Sequence, residues 1–288
     1  MRGPRRSGAK VKQPRIRAIW LGRALQELRI EAGVVAKDVA THIYRDQGTV
    51  SRIEDGQIPV TEAILNGYFE ICGVTDPHRR ADLTVICRDA AQSGWWDGYK
   101  SDVAGILMDR TWLESKAISI SNLDVNQVPG LLQTAEYAEL LMRSVEPWRG
   151  DADVARFVEL RMTRQHVLSR YKPVEFQTII EQAVLTRSVG GVAVMREQLD
   201  RLLVESERSN IEIRVLPSDK YVGITGSFEV FELAAPYPEI AYIGTPSGDI
   251  CVEGEAVDRL AGAYDRLLDA SLDAEASRAL IMAERDKL

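Results

Sequence analysis

Apolar positions in the first third of the chain recur at helical spacing, and turn residues cut them into short pieces. Between residues 16 and 32, Ile19, Leu21, Leu25, Leu28 and Ala32 fall on roughly one helix face. Gly33 stands where a helix end calls for a left-handed residue. The pattern predicts a short helix over about 35–43, a turn at Tyr44–Arg45, and a helix over about 47–54. Asp46 is a good N-cap for that last helix, and Asp55–Gly56 stops it. Two more helices are expected over about 60–71 and 77–91. From Gly94 the pattern changes. Trp95, Trp96, Tyr99 and then Trp112 open a mainly helical region reaching about Arg170. Within it Pro129 precedes one helix, and residues 151–170 form another. Strand-like segments follow at 174–181, 211–216, 227–233, 239–244 and 249–252. Gly190–Gly191 opens a helix of about 192–209 between the first two, and helices of about 255–270 and 273–286 close the chain. The expected fold class is α+β: an all-α bundle over 16–91, then mixed helices and sheet over 92–288.

Charge divides the chain in a similar way. The whole carries a net charge of −7. Residues 1–91 hold 15 Lys/Arg against 11 Asp/Glu, while the remainder holds 21 against 32. A basic head on an acidic body suits a head that touches phosphates and a body that must not. Residues 1–15 contain six basic residues, no acid, two prolines and two glycines, and are expected to be disordered alone. This arm could enter a minor groove or act as a non-specific tail, and the second reading is preferred. At 45% hydrophobic and 27% charged, the composition is that of an ordinary globular protein. No apolar run is long enough to span a membrane, and none follows the basic N-terminus as a secretory signal would. The three cysteines are odd in number and lack CxxC spacing, so they read as free thiols in a reducing cytoplasm.

The segment LRIEAGVVAKDVATHIYRDQGTVSRIEDG (28–56) carries the functional signal. Val39 and Ala40 on one short helix face Val50 and Ile53 on the next, which sets the second helix for a major groove. Its exposed face would offer Gln47, Gly48, Thr49, Ser51 and Arg52. Gln pairs bidentately with adenine and Arg with guanine, while Thr and Ser hydroxyls reach phosphates or either base. Lys37 and Arg45 supply cations nearby. The stretch resembles the phage-repressor-like helix-turn-helix family, the xenobiotic-response-element family of bacterial regulators, through Ser51-Arg52-Ile53-Glu54-Asp55-Gly56. The resemblance implies that Arg29 pairs with Glu54, making Glu54 structural. It also implies Thr-Gln or Ser-Gln at the start of the first of the two helices, where this chain has Val35-Ala36. That departure removes an expected phosphate grip, for which Lys37 or the arm would substitute.

The body resembles the large effector domain joined to such heads in actinobacteria. The motifs are VPGLLQTAEYAELL (128–141), ELRMTRQHVL (159–168), IIEQAVLTRSVGG (179–191), REQLDRLLVESERSNIEIRVLP (196–217) and GSFEVFEL (226–233). The resemblance implies an antitoxin-like role in some members and a small acidic partner protein.

No catalytic constellation stands out. His42, His78 and His166 are scattered, and there is no HExxH, GxSxG, phosphate-binding loop or dinucleotide fingerprint. The expectation is therefore no enzyme, metal or cofactor. Trp95, Trp96, Tyr99 and Trp112 have two readings, an aromatic wall for a small effector or a plug coupling the domains, and the second is preferred. Arg161, Arg164 and Gln165 could line a pocket but read better as a salt-bridged face, and Glu181 as a hydrogen-bonded structural carboxylate. The expected partners are double-stranded DNA, a second copy of the chain, and an effector or partner protein.

Overall fold

The computed structural model describes residues 15–92, 94, 98–99, 105–223, 226–245 and 249–288. The arm over 1–14, Trp95 and Trp96 lie outside the described residues. The chain divides into two compact units at Trp95/Trp96.

The first unit, the head, is five helices: α1 (Ile16–Glu31), α2 (Ala36–His42), α3 (Gln47–Glu54), α4 (Glu62–Ile71) and α5 (Pro77–Ala91). Trp20, Leu21, Leu25 and Leu28 form the buried stripe of α1, whereas Ile19 is half-buried and Ala32 is exposed, unlike the expected face. Each fully buried aliphatic side chain contributes about 1.5–3 kcal/mol. Arg17 is also buried, and its Nη1 donates to the Asp89 carbonyl at 2.5 Å. A cation thus sits on the last turn of α5, where the helix dipole favours it, and ties α1 to α5.

The second unit, the body, runs α6 (Gly105–Lys116), β1 (Ala117–Asp124), α7 (Ala135–Val145), α8 (Asp151–Arg164), β2 (Glu175–Glu181), α9 (Gln182–Thr186), α10 (Val192–Glu205), β3 (Ile211–Leu216), β4 (Phe228–Leu233), β5 (Ile240–Ile243), β6 (Ile250–Val252), α11 (Glu255–Ala270) and α12 (Ala274–Asp286). Its six-stranded sheet has the order β3-β2-β1-β4-β5-β6. β1, β2 and β3 pair in parallel, with helical crossovers; β4, β5 and β6 continue as an antiparallel meander. The edge strand β3 is covered. Leu272 N–H donates to Val215 O at 2.9 Å, and Val215 N–H to Ser277 Oγ at 2.9 Å. One sheet face packs Leu123, Ile179, Leu216 and Phe228 against Tyr264 and Leu267 of α11.

The expected helical region before residue 170 therefore contains a strand, β1, at the centre of the sheet. Its polar positions Ser119, Ser121 and Asn122, and a register shift between Ala117 and Ser119, blur the apolar alternation. The helix expected from Pro129 is a single 3₁₀ turn, Gly130–Leu132, and α7 starts only after Thr134, whose Oγ1 accepts from Tyr137 N–H at 3.3 Å. The helix expected over 151–170 ends at Arg164 and tightens into a second 3₁₀ turn.

Candidate nucleic-acid interface

Local chemistry starts α3, and close backbone packing seats it. The Asp46 carboxylate accepts from Thr49 N–H at 2.8 Å and from Thr49 Oγ1 at 2.6 Å. These bonds, the hydroxyl's first, hold the Asp46 carboxyl below the usual carboxylate range. Val50 and Ile53 point inward with Val39 of α2, all fully buried. The far end of α3 lies almost backbone to backbone on α1. A Cβ on Gly22 would stand 2.7 Å from the Ile53 carbonyl oxygen, and one on Gly56 would stand 2.8 Å from the Ala18 backbone. Only glycine allows that approach.

The resemblance-implied Arg29–Glu54 pair is present. Arg29 Nε and Nη2 each donate to a different Glu54 oxygen at 2.7 Å, a bidentate contact. Arg29 Nη1 also donates to Val34 O at 3.3 Å, and Tyr68 Oη donates to Glu54 Oε1 at 3.2 Å. Glu54 is buried and wholly occupied in joining α1, α3 and α4. The hydrogen bond to Glu54 raises the Arg29 pKa, and burial pushes the Tyr68 hydroxyl up.

With the inner face thus committed, the outer face of α3 consists of Gln47, Gly48, Ser51 and Arg52, all exposed. Thr49, expected beside them, is a correction: it is only 9% exposed, and its hydroxyl is held between Asp46 and Arg52. Arg52 Nη2 donates to Thr49 Oγ1 at 3.0 Å and Nε to Gly48 O at 3.3 Å, so its guanidinium lies along its own helix. Lys37 and Arg45 are exposed. Val35 stands at the N-cap of α2 and supplies no side-chain hydrogen bond there. The charge of this third of the chain also looks different once the helices are known. Residues 16–91 hold nine Lys/Arg and 11 Asp/Glu, so the basic surplus belongs to residues 1–15.

The body candidates sit elsewhere. Trp112 is fully buried, edge-on to Tyr237 with ring centroids 5.2 Å apart, and is spent in packing. The Arg156 guanidinium lies 5.4 Å from the Tyr99 ring centroid. Glu181, expected as a hydrogen-bonded structural carboxylate, is instead half-buried at the end of β2 in the N-cap position of α9, and its side chain makes no hydrogen bond among the described residues. Arg164 is buried and paired: Nε and Nη2 donate to the two Glu114 oxygens at 2.8 and 2.5 Å. The carboxylate that pairs with it comes from α6.

That pair adjoins a polar centre which sequence reasoning missed. Thr178, Asn122, Glu229 and Tyr242 stand in register across β2, β1, β4 and β5. Thr178 Oγ1 donates to Asn122 Oδ1 at 2.6 Å, and Asn122 Nδ2 lies 3.3 Å from Glu229 Oε1 and 3.4 Å from Asp124 Oδ2. Arg110 Nη2 donates to Glu229 Oε1 at 2.6 Å. Glu229 Oε2 and Arg161 Nε have no partner among the described residues. Burial, then the nearby Glu229 carboxylate, pushes the Asp124 carboxyl up to about 7. Burial, then Arg164, pushes Arg161 down to about 9, so it stays cationic at neutral pH. The strings Asn122-Leu123-Asp124 and Phe228-Glu229-Val230 were the available signal, polar residues inside strand-like runs.

The Asp124 shift predicts a pH effect. Its folded pKa lies above the unfolded value of about 4, so the folded chain holds the extra proton between about pH 4 and 7. The contribution is complete below about pH 4 and is lost as pH rises toward 7, with a slope approaching about 1.4 kcal/mol per pH unit. Asp124→Asn should remove that slope in urea unfolding from pH 4.5 to 7.5. An unchanged slope would show that another group carries it.

Two family models align with this division. Residues 20–83 match a helix-turn-helix domain profile, and residues 107–283, about three fifths of the chain, match the family described as a domain of unknown function, DUF5753. No curated protein and no solved structure matches the chain. Among the described residues no helix is long and apolar enough to cross a membrane.

Proposed function

The chain belongs to the DUF5753 family, behind a helix-turn-helix domain, and from that premise we propose that it is a sequence-specific transcriptional regulator whose body responds to an effector or protein partner. The observation that carries the reading is the division of α3 into two faces. Val50, Ile53 and Glu54 are buried and fixed, while Gln47, Gly48, Ser51 and Arg52 are left outward on a short, capped helix. Gln and Arg are the side chains that read adenine and guanine edges bidentately, and a glycine at the helix start allows close backbone approach. The likeness of 51–56 to the phage-repressor-like motif supports the same mode of reading. A second copy of the chain would present two heads to half-sites about one helical turn apart. The acidic body would stay clear of DNA in the cytoplasm, and the cations of residues 1–15 would supply the electrostatic attraction that the helices lack. An effector-responsive body is supported by the polar centre of the sheet, where uncompensated buried atoms sit in place of apolar packing.

Arg52→Ala tests the reading. Arg52 must leave Thr49 to reach a base, so its loss removes a contact made only on DNA. The expected result is a loss of about 1–3 kcal/mol in affinity for duplexes that the protein itself selects from a random pool, with relaxed preference at one base pair. Unchanged affinity and preference would remove Arg52 from the reading surface.

A further inference from the structure

Four helices of the head end in the same hydrogen-bond pattern. After α1, Gly33 N–H donates to Ile30 O at 3.0 Å and Val34 N–H to Arg29 O at 3.0 Å. After α3, Gly56 donates to Ile53 O at 2.9 Å and Gln57 to Arg52 O at 2.8 Å. After α4, Gly73 donates to Glu70 O at 3.3 Å and Val74 to Phe69 O at 2.9 Å. After α2, Tyr44 donates to Thr41 O at 3.3 Å and Arg45 to Ala40 O at 2.8 Å. Each is a Schellman end, which requires one left-handed residue. Glycine supplies it three times, at φ +68°, +70° and +65°. The fourth time, in the turn of the helix-turn-helix, the residue is Tyr44 at φ +55°, the one non-glycine with positive φ among the described residues.

A β-carbon in that region is strained, and strain persists where something else requires the residue. Packing within the chain does not require it. The Tyr44 side chain is 89% exposed and makes no hydrogen bond, ion pair or ring contact among the described residues. Stability alone would put glycine here as at the other three ends. What sets this end apart is its place, three residues ahead of Gln47, where the reading face begins.

We propose that Tyr44 is a DNA-backbone contact of the head, its ring against a deoxyribose beside the start of α3 and its hydroxyl donating to a phosphate. The proposal rests on the DNA-reading function given above. A tyrosine suits the position because its ring covers sugar while its hydroxyl satisfies a charged acceptor. Arg45, whose Nη1 donates to the Tyr44 carbonyl at 3.0 Å, braces the turn and adds an exposed cation to it. A groove of about 270 Å³ opens beside the turn, lined by Tyr44, Arg45, Thr61 and Asn66, with Glu70 also on its wall.

The test uses the full chain, a duplex that the wild-type protein selects from a random-sequence pool, and a scrambled duplex. Tyr44→Gly removes the strain and the ring together. Its unfolding midpoint should be no lower than wild type, while affinity for both duplexes falls about tenfold, the equivalent of one hydrogen bond to a charged acceptor. The dependence of affinity on salt should keep its slope, because no cation is lost. Arg45→Ala, by contrast, should lower that slope by about one. Tyr44→Phe should lose part of the tenfold through the hydroxyl alone. Three results overturn the proposal: Tyr44→Gly binding as tightly as wild type, a loss confined to the selected duplex, or a loss that tracks dissociation of a protein oligomer by mass measurement. If the wild-type chain enriches no duplex at all, the DNA-reading function itself fails, and that outcome is visible before any variant is made.

Discussion

Arg29→Ala should lower the stability of the head by about 3–4 kcal/mol and abolish DNA binding at temperatures where the wild type binds. The variant leaves Glu54, whose side chain is 3% exposed, without the guanidinium that held both its oxygens. Only the Tyr68 hydroxyl would remain against the charge. Domains hold about 5–15 kcal/mol in total, so this is a large fraction. The loss comes from an unpaired buried charge and not from a missing attraction. Adding Glu54→Gln to Arg29→Ala should therefore recover part of it, since the amide is neutral and still accepts from Tyr68. Arg52→Ala should divide the two readouts the other way. It sits on the exposed face, so its unfolding free energy should stay within about 0.5 kcal/mol of wild type while DNA affinity drops. Thermal melts and DNA titrations on both variants decide the matter. If Arg29→Ala melts like wild type, the pair does not hold α3 in place.

Arg164→Ala should cost the body about 3–5 kcal/mol. Glu114 is 1% exposed, and after the substitution its nearest remaining cation is Arg110, whose Nε lies 3.5 Å from Glu114 Oε1. The neighbourhood cannot absorb a further loose charge. Arg110 is already engaged by Glu229, and Glu229 itself keeps one buried oxygen unpaired. Replacing the pair together, Arg164→Met with Glu114→Leu, should be far milder, because no buried charge is orphaned. Native-state hydrogen exchange on the full chain would locate the effect. Protection should fall in α6, β1 and α8 in the single variant and largely return in the double. Undiminished protection in Arg164→Ala would mean that Glu114 finds another partner or takes up a proton at little cost.

The head was more legible than the body. Asp46, Gly33 and Gly56 mark their helix ends through bonds to residues three to five positions away, and a sequence displays such neighbours directly. Thr49 shows the limit. Its residue type suits DNA, yet its hydroxyl is taken up between Asp46 and Arg52. β1 escapes the alternation test because a strand at the centre of a sheet tolerates polar residues where its neighbours supply partners, and Asn122 finds Thr178 and Glu229 on the two flanking strands. The sequence places Tyr44 in a turn, but its left-handed backbone and bare ring are visible only in three dimensions.

From its residues alone, this chain declares a two-part α+β protein, a helix pair whose second, capped member carries the side chains of a DNA reader, and a basic surplus at its start. Periodicity, caps and charge act over a few residues, so order and type are enough for them. Which charges are buried, which side chains of α3 remain outward, and where strain is carried needed the folded chain. Those properties depend on partners far apart in sequence, 25 residues for Arg29 and Glu54 and 119 for Arg110 and Glu229. Burial also sets their size, because a charge gains most from a partner, and loses most without one, where water is excluded.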